Sequence, residues 1–305
     1  MPLNTYRGNI TLPSAVSREI LQKTQEQSAI MRLARKITLP GTGVTIPVIT
    51  GDPQAAWVDE TDKKPTSNPT LSTKIMQAYK LAVIVPFSME FRRDMGALYD
   101  ALVSRLPASL GQKFDETVFG PASGKPGSNF DTLGGCTAQN LSGTGGAYDA
   151  LVAAKVAIST AGYLMNGVAL SPQGEGVLLG AKDTTGRPIF VASVHEGATG
   201  RLLGAETYLT KGAYKAANPT GYNTVGVAGD WTQALFGTVE GVKISISDQA
   251  SLTISNAQVN LWERNMFAVR AEMEVGFRAE ATAFNLLTVP VPAQAGGDSG
   301  GGTGG

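Results

Sequence analysis

Residues 269–281, VRAEMEVGFRAEA, alternate cleanly along the chain. Val269, Ala271, Met273, Val275 and Phe277 fall on one face, with Arg270, Glu272, Glu274 and Arg278 on the other. A period of two with one apolar face predicts a half-buried β-strand, here of unusual length. Its carboxylates suggest acid–base chemistry at first sight, but on an exposed strand face they read as solubilising charges. The second long pattern lies upstream, in SMEFRRDMGALYDALVSRLPASLGQKFDETVFG at 88–120. Leu98, Leu102, Leu106, Leu110, Phe114 and Val118 recur every fourth residue, which predicts a long amphipathic helix. Pro107 lies within it and predicts a kink or break near Ser104–Leu106. Further short strand patterns and an alanine-rich helix at 147–162 make the fold α+β.

The N-terminal run SAVSREILQKTQEQSAIMRLARK predicts a weakly amphipathic helix from Ser14 to Lys36, and its cations Arg18, Lys23, Arg32, Arg35 and Lys36 outnumber its acids. This is either a solvated face or a contact for phosphates. Next, ITLPGTGVTIPVI and STKIMQAYKLAVIVPFS flank a polar segment at 50–70, the pattern of a long hairpin. Its tip, DETDKKPTSNP, has nothing apolar to bury, and loops of this length usually serve a function. The Gly-rich stretch 120–146 lacks the spacing of a phosphate-binding loop, since Pro126 stands where the hydroxyl residue belongs, and it predicts a plain connection.

Composition narrows the functional classes. The 305 residues are 42% hydrophobic, enough for real cores, and 25 basic residues balance 25 acidic ones, so no global field draws the chain to nucleic acid or membrane. No apolar run is long enough for a membrane helix, and residues 1–9 lack the pattern of a signal peptide, which predicts a product of the cytoplasm. One cysteine, Cys136, and one histidine, His195, exclude a disulfide within the chain and argue against a metal site or cofactor. The terminal GGDSGGGTGG contains GDSGG, the setting of a nucleophilic serine. Ser299 sits among seven glycines in the last ten residues, with only His195 available as base, so the tail reads as a disordered terminus and not as a hydrolase site.

The ordered series of segments resembles the major capsid proteins of tailed bacteriophages, of the Hong Kong 97 type. It runs from PQAAWVDETDKKPTSNPTLSTKIMQAYKLAVIVPFSMEFRRD and FDETVFG, through GYLMNGVALSPQGEGVLLGAKDTTGRPIF, GRLLGAETYL and GDWTQALFGTVEGVKISISDQA, to NMFAVRAEMEVGFRAEATAFNLL. The likeness spans about residues 14–289 and lies in the series, not in one motif. It implies an N-terminal arm at 1–38 and an extended hairpin at 39–86. It further implies a peripheral domain split between 87–135, with the spine helix, and 239–290, with the long strands. An axial domain would fill 136–238, leaving a Gly-rich tail at 291–305.

That resemblance implies a non-enzymatic shell protein, forming pentamers and hexamers around packaged double-stranded DNA in the virion, after assembly in the host cytoplasm. The implied partners are itself, a portal protein and possible decoration proteins. Because the chain starts almost directly with the arm, a separate scaffolding protein is implied, unless none is needed. A bacterial encapsulin-type compartment is the alternative with the same fold. Trp57 is the candidate interface anchor, the other reading being that it packs inside its own subunit. Arg92 and Arg93 are candidates to pair with a neighbour's Asp59, Glu60 and Asp62. Lys63 and Lys64 are either solvated charges or cross-linking lysines, with Asn256, Asn260 and Asn265 as positional acceptors. The basic arm would meet DNA through phosphates, without sequence preference.

Overall fold

The computed structural model describes residues 23–24, 28–41, 43–49, 57–58, 64, 71–90, 95–182, 187, 200–217, 221–239, 241–254 and 257–291. Its organising element is the strand anticipated at 269–281, which spans Met266–Ala279 and is β14 in chain order. Four further strands build a sheet on it: β1 (Arg35–Thr38), β4 (Tyr79–Ser88), β10 (Ala234–Thr238) and β11 (Lys243–Ser247). β4 pairs antiparallel with β14 from Met266 to Val275. β10 pairs with its Val275–Ala279 end and β11 with Ala268–Glu272, while β1 lies parallel to β10 at the margin.

The alternation works as its chemistry predicts. Val269, Ala271, Met273, Val275 and Phe277 are buried, in one core with Leu106, Leu110, Phe114 and Val118 of the long helix. Phe114 meets Phe277 edge to face at 6.4 Å, and Phe130 joins both rings. On the outer face Lys80 pairs across strands with Glu274, and Arg270 bonds across to Ser245 and along its own strand to Glu272.

A second sheet has the order β5, β15, β9, β6, β8, β7. These strands are β5 (Thr137–Asn140), β6 (Gly167–Leu170), β7 (Arg201–Leu202), β8 (Ala205–Leu209), β9 (Tyr222–Gly229) and β15 (Phe284–Pro290). Both of its faces are covered, so β6 is buried at every position instead of alternating. Val168 and Leu170 pack with Leu151 and Ala154, whereas Ala169 faces the core under the first sheet. A bulge at Val225, where Leu287 pairs with Gly226 but Thr288 with Thr224, turns the next residues of β9 over.

Among the described residues the frame is completed by the helices α1 (Ala29–Leu33), α2 (Met95–Val118), α3 (Gly146–Thr160) and α4 (Pro172–Leu179). Two hairpins stand apart, β2 (Val44–Ile49) with β3 (Leu71–Met76), and β12 (Ser251–Ile254) with β13 (Ala257–Asn260). Among the described residues each pairs only with itself.

Several expectations are corrected. The segment 14–36 is not one helix: Ser28 caps the short α1, the backbone turns extended at Ala34, and Arg35 and Lys36 belong to β1, where pairing with β10 outweighs helical propensity. The hairpin expected at 39–86 divides, because β4 joins the first sheet and only β2 and β3 pair together. The cut near 238 does not follow the sheets either. β10 lies before it and belongs with β14, whereas β15 lies after it and pairs with β9 and β5. Part of the Gly-rich stretch is structural, since Phe130 and Leu133 are buried and Thr137–Asn140 forms β5.

Pro107 does not break α2, which runs unbroken across it. The ring removes one helical bond, while Leu106, Leu110, Phe114 and Val118 hold the turns on both sides in the core. Pro107→Ala regains about 3 kcal/mol of helix propensity and loses about 1.6 kcal/mol for two buried methylenes. The expected result is a net stabilisation of ~1 kcal/mol, read as a higher urea midpoint at unchanged slope.

Candidate assembly surfaces

The β2–β3 hairpin leads to the proposed contact residues. Trp57 is fully exposed, and Val58 is exposed as well. Lys64 is exposed too. Asp59, Glu60, Asp62, Lys63, Arg92 and Arg93 lie outside the described residues, as do Arg18, His195, Asn256 and Ser299.

A second exposed tryptophan, Trp262, follows the β12–β13 hairpin. Sequence reading passed over it, although an indole beside Glu263 and Arg264 in a short turn is a visible signal. Its amide donates to Asn260 Oδ1, and Asn260 Nδ2 donates to Glu263 Oε1 at 3.0 Å. Of the other asparagines considered as acceptors, Asn265 has left-handed backbone and its carbonyl accepts from Met89.

The basic residues of the N-terminal segment do not form a single stripe. The Arg32 guanidinium lies 4.8 Å from the centre of the Tyr208 ring, which ties it to β8. Arg35 and Lys36 are exposed on β1, and Lys23 is half-buried.

What fastens this segment to the body is a carboxylate that local sequence patterns did not single out. Asp115, on α2, is wholly buried. It accepts from Ser28 Oγ at 2.5 Å, from the amides of Ala29 and Ile30 at 3.0 and 3.4 Å, and from Thr210 Oγ1 at 2.8 Å. Ser28 Oγ in turn accepts from Met31 N, and Thr210 Oγ1 from Gly212 N. One side chain thus joins the start of α1, the long helix and the turn after β8. Burial pushes its carboxyl up to about 6, against the four donors, which pull it down. The surroundings leave no slack: a Cβ on Gly212 would stand 2.6 Å from that of Asp115.

Comparison with known proteins points to assembly. A model of the phage capsid family matches residues 8–289. The probable major capsid protein gp17 of Mycobacterium phage D29 is 29% identical over 289 residues, covering 89% of this chain and 88% of that protein. The major capsid protein of Staphylococcus phage 80alpha is 25% identical, over 91% and 84% of the two chains. A solved structure from Microbacterium phage Oxtober96 has a TM-score of 0.65 at 22% identity, across 95% of both chains. The capsid of a native GTA particle, computed with C5 symmetry, has a TM-score of 0.61 at 16% identity, again across 95% of each. Such coverage makes the likeness one of the whole fold.

Proposed function

Since this chain belongs to the phage capsid family, we propose that it is the major capsid protein of a tailed double-stranded DNA bacteriophage. Its pentamers and hexamers close into an icosahedral head around the genome. The observation that carries this reading is the family match over nearly the whole chain. The two hairpins that pair only with themselves among the described residues, and the exposed tryptophans beside them, support it. A heterologous contact that closes on itself repeats one modest interface at every copy, so a shell gains collective stability from weak contacts.

In this reading residues 1–38 form the arm and the β2–β3 hairpin reaches a neighbour. The sheet around β14 is peripheral, and the sheet containing β9 surrounds the capsomer axis. Trp57 anchors the hairpin on that neighbour, and Arg92 and Arg93 meet its Asp59, Glu60 and Asp62. Arg35 and Lys36, with Arg18, supply non-specific contacts to DNA phosphates. Scaffolding, portal and decoration proteins complete the partners, with assembly in the host cytoplasm. An encapsulin-type compartment is not favoured, because the similar proteins described above are capsids of phages and of a GTA particle.

The test is light scattering with negative-stain electron microscopy on the chain expressed alone and with its neighbouring genes. Closed particles of hundreds of copies are the expected result, and a stable monomer or small oligomer in both samples overturns it. Boiling the particles in detergent is expected to release single subunits. A ladder of linked subunits would contradict this expectation and point to Lys63 or Lys64 as the linking lysine.

A further inference from the structure

The hairpin β2–β3 shares no strand ladder with the body among the described residues, so its direction has to be set by side chains at its root. Two contacts there differ in kind. Gly237 and Gly276 pair directly opposite each other on β10 and β14. A Cβ on Gly237 would stand 2.5 Å from Leu39 Cγ, and one on Gly276 would stand 2.6 Å from the Gln77 carbonyl oxygen. The space left by two missing side chains therefore receives the chain entering the hairpin and the chain leaving it. Leu39 is fully buried there, and its amide donates to the Thr238 carbonyl at 3.0 Å.

The second contact is directional. Arg278 donates through Nε to the Ile75 carbonyl at 2.8 Å, through Nη1 to Asp131 at 2.7 Å and through Nη2 to Asn129 Oδ1 at 3.1 Å, with its side chain only 12% exposed. Alongside it, Lys74 Nζ reaches Glu280 at 3.0 Å and the Ala279 carbonyl at 3.3 Å. Lys74 and Ile75 end β3, while Arg278 and Ala279 end β14. An aliphatic side chain in a notch resists withdrawal but tolerates rotation. A planar guanidinium with its donors committed to fixed acceptors resists rotation as well.

We propose that Arg278 is the positioning residue that sets the angle at which the β2–β3 hairpin leaves the body, with Leu39 in its glycine notch as the pivot. This rests on the shell reading only for its purpose, since the angle decides which surface of a neighbour the hairpin meets. The Lys74–Glu280 pair is a weaker, half-exposed second restraint about the same pivot.

The experiment places spin labels at Trp57→Cys and Ser109→Cys in a Cys136→Ser background, using the full chain kept below its assembly concentration, and reads the distance distribution. Arg278→Gln is expected to widen it at least twofold, and Arg278→Lys, which still reaches one acceptor, to widen it less. A role confined to stability would lower the urea midpoint and leave the width unchanged, and that result overturns the proposal. If Arg278→Gln does not fold, Lys74→Met with Glu280→Gln provides the second arm. It is expected to widen the distribution by a smaller factor, and an unchanged width there overturns the proposal as well. Widening in a chain that never forms shells would sink the shell reading and leave the pivot standing. Shells from the unsubstituted chain, with no widening in folded variants, would do the reverse.

Discussion

Asp115→Ala is expected to destabilise the subunit by about 3–5 kcal/mol, because it strands buried donors that have no other acceptor among the described residues. Four donors converge on that carboxylate, two of them backbone amides that cannot turn away. Asp115→Asn should fall in between. One carboxamide oxygen can serve Ser28 and Ile30, but the amide nitrogen then faces the Ala29 N–H, donor against donor. The sign of the pH effect is specific. The folded carboxyl titrates at about 6, above its ordinary value of 3.8, so between these values the folded state binds more protons than the unfolded one. The stabilisation is complete below the unfolded value and is lost as pH rises through the folded one. Most of that gap of roughly two units, at about 1.36 kcal/mol per unit, lies between pH 4 and pH 7, so this group makes the subunit ~2 kcal/mol more stable at pH 4 than at pH 7, relative to Asp115→Asn. Urea midpoints for the two proteins across that range measure the difference directly. A difference that stays flat would mean that Asp115 keeps its ordinary titration.

The Asp115 contact shows where sequence reading stops. The stripe Leu106, Leu110, Phe114 and Val118 was visible because its spacing is local, and all four residues are buried. The adjacent row, Pro107, Gly111, Asp115 and Phe119, is buried as well, yet it mixes a proline, a glycine and a charge and shows no apolar pattern. Gly111 carries the clue: a Cβ there would stand 3.3 Å from the Thr24 carbonyl oxygen, so the missing side chain lets the N-terminal segment approach α2. A glycine four residues before an acid, beside an apolar stripe, is a readable sign of close chain approach once a partner is suspected. The partner itself, 87 residues upstream at Ser28, is not readable from local periodicity. The same limit governs β1, whose parallel pairing with β10 spans some two hundred residues, and the exchange of β10 and β15 between the sheets. By contrast β14 was legible because it needs no distant information: both of its faces are written in alternate residues.

Trp57→Ala is expected to leave the subunit unchanged and to cripple the shell. The indole is fully exposed, so its removal takes nothing from the core, and the urea midpoint should move by less than about 0.5 kcal/mol. If the side chain is buried at a neighbour's surface in the particle, its loss costs roughly 2–4 kcal/mol per contact. With one such hairpin contact per subunit in the proposed shell, the concentration at which shells appear should rise by roughly 30- to 1000-fold. Deleting Asp59–Pro69 removes the polar tip and is expected to abolish closed particles altogether, with β2 and β3 still able to pair over Val44–Ile49 and Leu71–Met76. The two variants separate the causes. Loss of shells with the tip deletion alone would place the binding energy in the charged residues from Asp59 to Lys64. Loss with both means that the contact needs the indole and the tip together, and unimpaired shells with both would remove the hairpin from the contact. Scattering as a function of protein concentration distinguishes all three, and the unchanged midpoint of Trp57→Ala excludes misfolding as the reason.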